Sequence, residues 1–116
     1  MEVQIFGVRK SAATRAALRF FAERRIRTHF VDLTERAAWP GELRRFAQQF
    51  GTPALVDRAS QRFAVLGLGA ARLSDERWVA KLADEPLILK LPFVRCGEQL
   101  TVGPAVATWT EWAKAR

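Results

Sequence analysis

Residues 5–21 read IFGVRKSAATRAALRFF and place a strand, a turn and a helix in succession. Up to Gly7 the side chains alternate in character, which is typical of a β-strand. From residue 12 to residue 24 the apolar side chains recur at helical spacing and predict one core-facing side. That side contains Ala13, Ala17, Phe20 and Phe21. Residues 9–11 are predicted to form the turn between the two elements.

A second strand is predicted over residues 28–33, where the sequence THFVDL alternates again. The loop before it, residues 25–27, is short, so the strand is expected to lie parallel to the first through a right-handed crossover. Strand, helix and strand then form a βαβ unit, which indicates an α/β fold.

The middle of the chain is predicted to be mainly helical. A helix begins at Pro40 and ends at Gly51, because proline suits the first helical position and glycine suits the residue after the last. Its apolar side contains Leu43, Phe46 and Phe50. Residues 51–69 are less periodic and are interpreted as a loop with one short helical turn.

Another helix is predicted to begin at Ser74 and to end before Pro86. A serine caps the first turn, and the carboxylates of Asp75 and Glu76 complement the positive end of the helix dipole. The buried side of this helix contains Trp78, Val79 and Leu82.

The last third of the chain predicts a hairpin and a closing helix. Residues 87–94 and 100–102 are apolar runs on either side of the turn at residues 95–98. After Gly103 and Pro104, the closing helix has Val106, Trp109, Trp112 and Ala113 at helical spacing. The complete order predicts an α/β fold with a mixed four-stranded sheet flanked by helices, in one domain spanning residues 1–116.

Composition limits the class of protein. The chain has 116 residues with a formal net charge of +7, which favours an anionic partner. The basic residues are spread along the chain, so an arginine-rich solvated surface is the simpler explanation. No zinc-finger spacing or helix-turn-helix signal is present, so direct DNA recognition is not expected. No apolar run approaches the roughly 20 residues that span a bilayer, and the single cysteine, Cys96, argues against a secreted disulfide framework. We therefore expect a cytoplasmic protein without a membrane segment.

Four stretches carry a resemblance to a known family: IFGVRKSAATRAALRFF, FAVLGL, LSDERWVAKLADEPLILKLPFV and LTVGPAVATWTEW. Together with the element order, they resemble the arsenate reductase (ArsC)/Spx family, which has a thioredoxin-like fold with a helical insertion. The resemblance covers essentially the whole chain and implies the same βαβ-ββα fold here.

In that family, the turn before the first helix holds a cysteine, often in a Cys-x-x-Cys or Cys-x-x-Ser pattern followed by a basic residue. A helix N-terminus stabilises a thiolate or a bound oxyanion at this position. Here the matching residues are Ser11 and Thr14, followed by Arg15. A hydroxyl has no disulfide chemistry and is a poor nucleophile without a neighbouring base. Ser11 is equally well interpreted as the N-cap of the first helix.

The resemblance also implies a cis proline that faces this turn, preceded by a basic residue in members that bind oxyanions. Pro92 matches the proline, and Leu91 takes the place of the basic residue. A further family arginine aligns with Ala59, with Arg58 one residue away in DRASQRFAVLGL. Arg58 is therefore a candidate for that role, and a solvated loop arginine is the alternative.

Two other residues are candidates for chemistry. His29, the only histidine, lies on the predicted second strand, where a surface role competes with a role as a base for Ser11. Cys96 is predicted in the hairpin turn and has no second cysteine to resolve an oxidised thiol. It is interpreted as a spectator, with redox signalling through a second molecule such as glutathione as the alternative.

Three functions follow from these residues. The first is a redox-inactive binding or regulatory module, with a protein partner that the resemblance to Spx suggests is RNA polymerase. The second is an arsenate reductase or glutathione-dependent thiol reductase, with glutathione as its reductant. The third is weak binding of a small anion, without turnover, compatible with the first. No metal or resident cofactor is expected. The candidate anion-binding residues are Arg9, Lys10, Ser11, Thr14, Arg15 and Arg58.

Overall fold

A computed structural model describes residues 1–35 and 39–115 and contains a four-stranded mixed sheet in the order β2-β1-β3-β4. The strands are β1 (Glu2–Gly7), β2 (Arg27–Asp32), β3 (Phe93–Cys96) and β4 (Gln99–Val102). β1 is parallel to β2 and antiparallel to β3, and β3 is antiparallel to β4. The predicted parallel βαβ unit and the mixed four-stranded sheet are confirmed.

The helices follow the predicted order, with additions in the middle of the chain. They are α1 (Ala12–Glu23), α2 (Pro40–Phe50), α3 (Thr52–Leu55), α4 (Gln61–Val65), α5 (Asp75–Asp84) and α6 (Val106–Ala115). Two 3₁₀ turns lie at Leu68–Ala70 and Pro86–Ile88. Residues 51–69 were predicted to be a loop with one helical turn. This was wrong, because the region holds two short helices and the start of a 3₁₀ turn. A serine cap starts α4, where the N–H of Phe63 donates to Ser60 Oγ over 3.0 Å.

The chain forms two compact units. The first consists of residues 1–35 together with residues 91 onward, and the second consists of the residues between them. The sheet, α1 and α6 belong to the first unit, and α2 to α5 belong to the second.

The core of the first unit is built from aromatic and branched side chains. Phe20 and Phe21 of α1 pack against Trp109 of α6, with ring centroids 5.7 and 5.5 Å from the tryptophan. Val3 and Ile5 of β1 are completely buried in the same cluster. Trp109 also satisfies its ring N–H, which donates to Thr101 Oγ1 over 2.8 Å. A buried indole without such a partner would lose the free energy of that hydrogen bond.

In the second unit, α2 contacts both α3 and α5. Leu43 and Phe46 of α2, Leu55 of α3 and Leu82 of α5 are buried. The N-cap of α5 is the predicted one, since Ser74 Oγ accepts from the N–H of Arg77 over 3.2 Å. A bidentate ion pair joins Arg62 to Glu85, with both nitrogen–oxygen distances at 2.9 Å.

The predicted strand over residues 87–94 was wrong up to residue 92, and only its last two residues are in a strand. Pro86 begins a 3₁₀ turn instead, Leu89 makes a single bridge to Val56, and β3 starts only at Phe93. Proline has no N–H to donate to a sheet, so the apolar run cannot pair continuously across Pro92. The hairpin turn is correspondingly shorter than predicted, and Cys96 lies in β3 paired with Gln99 rather than in the turn.

Three aromatic or branched side chains predicted on buried helix sides are more exposed than expected. Phe50 and Val106 are 37% and 54% exposed, and Trp78 is half-buried. Phe50 is the last residue of α2 and Val106 the first of α6, and a helix end has fewer neighbours to cover it. Helical spacing reports which side of a helix faces the core, but not where along the helix the core ends.

Candidate functional site at the start of the first helix

The candidate site lies at one end of the sheet. β1 ends at Gly7, which pairs with Asp32, the last residue of β2. β3 begins at Phe93, which pairs with Phe6. Pro92 immediately precedes Phe93, so the register places this proline beside the end of β1 from which the turn to α1 leaves. The peptide bond between Leu91 and Pro92 is cis, and Leu91 is buried.

Ser11 is the N-cap of α1. Its backbone is extended, with φ of −77° and ψ of 121°, and its Oγ accepts the N–H of Thr14 over 3.1 Å. The Ser11 N–H donates to the carbonyl of Val8 over 3.0 Å, which closes the turn. The Ser11 hydroxyl is therefore held in a capping hydrogen bond.

Thr14 occupies the second position of the motif and is completely buried. Within the described residues, its Oγ1 has no hydrogen-bond partner. The side chain lies against the end of β1, because a Cβ placed on Gly7 would be 2.5 Å from Thr14 Oγ1 and 2.6 Å from its Cγ2. Thr14 thus packs between α1 and β1, and Gly7 is required there because any side chain would overlap it.

Arg9 in the turn and Arg15 in α1 are held in place. Arg15 Nη1 donates to the carbonyl oxygen of Arg9 over 2.5 Å. The Arg9 guanidinium lies over the ring of Phe30, 4.8 Å from its centroid. Lys10 is exposed beside them. Among the described residues, the N–H groups of Ala12 and Ala13 have no protein acceptor. Free helix N–H groups and positive side chains together form an environment that suits an anion.

A carboxylate shares this end of the sheet, and sequence reasoning missed it. Asp32 closes β2 opposite Gly7, and hydrogen bonds from the hydroxyl and N–H of Thr34 hold the pKa of Asp32 below its usual value. Arg9 lowers that pKa further through its charge. Asp32 is therefore ionised at neutral pH, and its negative charge offsets part of the attraction that the turn exerts on an anion. Only the strand register reveals it, because Asp32 is far from the turn in sequence.

The other residues that the sequence analysis considered for this site are His29, Arg58 and Ala59. His29 is exposed and pairs with Gln4, in the middle of β1, so the register does not bring it to the Ser11 end. Arg58 belongs to the second unit, where its guanidinium lies 5.4 Å from the ring centroid of Phe63. Ala59, aligned with the family arginine, donates its N–H to Asp57 Oδ1 over 3.0 Å in a local turn.

Cys96 lines a separate open pocket of about 320 Å³, together with Met1, Gln99, Trp112 and Ala115. Burial raises the pKa of the Cys96 thiol, and the positive N-terminus opposes this in part. A thiol with a raised pKa has less of the reactive thiolate at neutral pH. The environment of Cys96 is thus opposite in character to the helix N-terminus at Ser11.

No group of three or more His, Cys, Asp and Glu residues in the described part of the chain is placed to hold a metal ion. In residues 1–35 and 39–115, no helix is both long and apolar enough to cross a membrane.

The sheet order, the crossover helix and the cis proline beside its N-terminus define a thioredoxin-like α/β protein. The chain belongs to the ArsC family, whose model matches residues 6–111. A comparison of the sequence with curated proteins finds no significant match.

Several solved structures share this fold over nearly the whole length of the chain. An arsenate reductase from Vibrio cholerae is 26% identical, with a TM-score of 0.80 over 96% of this chain and 97% of its own. An ArsC family related protein from Bacteroides fragilis is 16% identical, with a TM-score of 0.82 over 96% and 97%. An arsenate reductase (ArsC) related protein from Brucella melitensis is 21% identical, with a TM-score of 0.72 over 98% and 96%.

Proposed function

We propose that this protein is a redox-inactive member of the ArsC family that acts as a binding or regulatory module. The observation that carries the proposal is the Ser11 hydroxyl, which stands where the family resemblance calls for a cysteine and is engaged as the N-cap of α1. Thiol reductases attack with a thiolate and pass electrons through a disulfide, and neither Ser11 nor Thr14 supplies a sulfur.

The remaining groups do not replace the missing thiol. A serine needs a base within hydrogen-bonding reach, and His29 is in the middle of β2 rather than at the Ser11 end. Cys96 lies at the far end of β3 from Pro92, and burial raises the pKa of its thiol. The scaffold of the family is thus present, while the group that performs its chemistry is absent.

A protein partner follows from this proposal. By resemblance to Spx the partner is RNA polymerase, and the protein works in the cytoplasm without direct DNA recognition. No resident cofactor is required for such a role. The basic composition supports association with an acidic partner surface.

The alternative function is an arsenate reductase or a glutathione-dependent thiol oxidoreductase. The likeness to the Vibrio cholerae arsenate reductase favours it, since that likeness covers nearly all of both chains. Glutathione would then supply the electrons. Leu91 counts against it, because an apolar side chain stands where the family resemblance expects a basic one before the cis proline.

An activity assay separates the two functions. Purified protein is supplied with arsenate or a disulfide substrate, and with glutathione or thioredoxin as reductant. We expect no turnover above the protein-free control, for the wild type and for Cys96→Ser alike. Turnover that disappears in Cys96→Ser would make Cys96 the nucleophile, and turnover that survives it would reveal a catalytic group other than sulfur. Either result would overturn the proposal.

The turn at Ser11 is further proposed to bind a small anion weakly, without turnover. Each helix-end or surface charge contributes about 0.3–1 kcal/mol, and a millimolar Kd corresponds to about 4.1 kcal/mol, so several such contributions reach only the millimolar range. The carboxylate of Asp32 keeps the affinity low. This weak site marks where an acidic group of a partner would dock.

Amide NMR shifts during a sulfate titration test this anion site. We expect the shifts to centre on residues 10–15 and to shrink in Arg15→Ala. The matched control is Arg77→Ala, which removes an exposed arginine from the second unit and should leave the shifts unchanged. Shifts spread evenly over all arginine-rich surfaces would show that the turn is not a site.

A further inference from the structure

The exposed side of α1 carries positive charge that continues from the turn before it. We call this surface the basic strip and define it as Arg9, Lys10, Arg15 and Arg19, all exposed. Arg15 and Arg19 are four residues apart, which places them on the same side of the helix about 6 Å from one another along its axis. Glu23, one turn further along, is the carboxylate on this side of α1.

The charge of the basic strip is offset only in part within the protein, by the carboxylate of Asp32, which interacts with Arg9 through its charge. Among the described residues, none of its four cations forms an ion pair. In the second unit, by contrast, Arg44 pairs with Glu76 and Arg62 with Glu85. The positive charge that remains attracts an oppositely charged partner and orients it.

Two features favour an acidic peptide over a nucleic acid. Ala12 and Ala16 are exposed between the arginines, so the backbone of a partner segment can approach the helix closely. Surfaces that bind single-stranded nucleic acid without sequence preference stack bases on exposed aromatic side chains. On α1 the aromatic residues Phe20 and Phe21 are buried in the core instead.

Arginine also suits a carboxylate. Its planar guanidinium makes two parallel hydrogen bonds to a carboxylate group. The guanidinium of Arg15 is already held by the Arg9 carbonyl, so less conformational freedom is lost when it binds. We propose that the basic strip docks an acidic peptide segment of a partner protein, with carboxylates one helical turn apart facing Arg15 and Arg19. This inference rests on the proposed role as a binding module and names the chemistry of its partner.

A binding assay tests the proposal directly. The probe is a fluorescein-labelled helical peptide with glutamates four residues apart, titrated with the full-length protein at low salt while its anisotropy is followed. We expect binding that weakens by about tenfold in the double variant Arg15→Gln and Arg19→Gln, since both proposed arginine–carboxylate contacts are then lost. The same peptide with glutamine in place of glutamate should not bind.

A matched control removes the same charge elsewhere. Arg72 and Arg77 are exposed residues of the second unit, and the double variant Arg72→Gln and Arg77→Gln should change the affinity by less than about twofold. Equal weakening by both double variants would show that net charge alone drives the binding and would overturn the proposal. Tighter binding of single-stranded or duplex DNA than of the peptide at the same salt would also overturn it.

The outcomes remain distinguishable from those of the activity assay. Circular dichroism verifies that each variant is folded. If Arg15→Gln is not, because the hydrogen bond to the Arg9 carbonyl is lost, the single variant Arg19→Gln still tests the basic strip. Absence of peptide binding in a protein without reductase activity would reject the acidic partner and keep the redox-inactive assignment. Reductase activity together with peptide binding would reject the redox-inactive assignment and keep the docking surface.

Discussion

At the scale of single residues, the contact between Gly7 and Thr14 joins the end of β1 to the first turn of α1. A Cβ on residue 7 would overlap the Thr14 hydroxyl and methyl groups, at 2.5 and 2.6 Å. Gly7→Ala should therefore destabilise the protein by about 1–3 kcal/mol, the usual cost of overpacking. Urea denaturation measures the free energy of unfolding of the wild type and the variant.

The double variant Gly7→Ala with Thr14→Ala shows whether this overlap is the cause. Shortening Thr14 removes both overlapping atoms and leaves its Cβ, 3.1 Å from the new methyl group. It also removes a buried hydroxyl that has no partner among the described residues. More than half of the lost stability should then return. If the double variant instead loses as much stability as the two single variants together, Gly7 is needed for another reason.

At the scale of elements, the N-terminus of α1 and the end of β3 are opposite environments for a thiol. A cysteine at the N-cap of a helix has its pKa lowered by the free N–H groups and the dipole. The pKa of the thiol of Cys96 is raised by burial. We expect the cysteine in Ser11→Cys with Cys96→Ser to react with iodoacetamide faster than Cys96 does in the wild type, with a lower midpoint in the pH profile. An equal or slower rate would show that the turn no longer favours an anion.

The Arg62–Glu85 pair links α4 to the end of α5 and predicts a pH dependence. Hydrogen bonding to Arg62 lowers the pKa of Glu85 in the folded state. The pair therefore stabilises the protein fully above the ordinary glutamate pKa of about 4.3, and the contribution is lost as the pH falls through the lower folded value. Glu85→Gln should lower the free energy of unfolding at pH 7 and flatten its decline below about pH 5.

The control for this prediction is Glu76→Gln, which breaks the longer and more exposed pair with Arg44 at 3.5 Å. Exposed pairs contribute little, so this variant should change stability less at pH 7. A decline with pH in Glu85→Gln as steep as in the wild type would mean that other carboxylates cause it.

At the scale of the whole molecule, the first unit is assembled from the two ends of the chain, and the second is inserted between them. Each unit contains roughly half of the chain, a length at which an isolated core is marginal. We therefore expect the protein to unfold as one domain. Trp109 and Trp112 report on the first unit, and Trp39 and Trp78 report on the second.

Tryptophan-to-phenylalanine double variants leave reporters in one unit at a time. Within each variant, the fluorescence transition in urea should coincide with the transition followed by far-ultraviolet circular dichroism. Because both transitions are measured on the same variant, any stability that the substitution itself removes shifts the two transitions equally. Two separate transitions would show that the units unfold independently.

Much of the fold was predictable because its signals are local. Alternation marked β1 and β2, helical spacing marked α1 and α2, and Ser74 marked the start of α5. The start of β3 was not predictable from its apolar run, because Leu87 and Leu89 are as apolar as Phe93 and only the positions that pair in the sheet become strand. The resemblance to the ArsC family placed Ser11 and Thr14 correctly at the beginning of α1.

The sequence by itself determined that residue 11 carries a hydroxyl and not a sulfur, and that a basic turn precedes α1. The tertiary structure decided which residues meet there. Strand register brought Asp32 to the same sheet end and left His29 in the middle of β2, and close packing set Thr14 against Gly7. The physical reason is that side-chain identity and helical or strand periodicity are local properties. Contacts between distant residues depend instead on strand pairing and on burial, which arise only when the whole chain has packed.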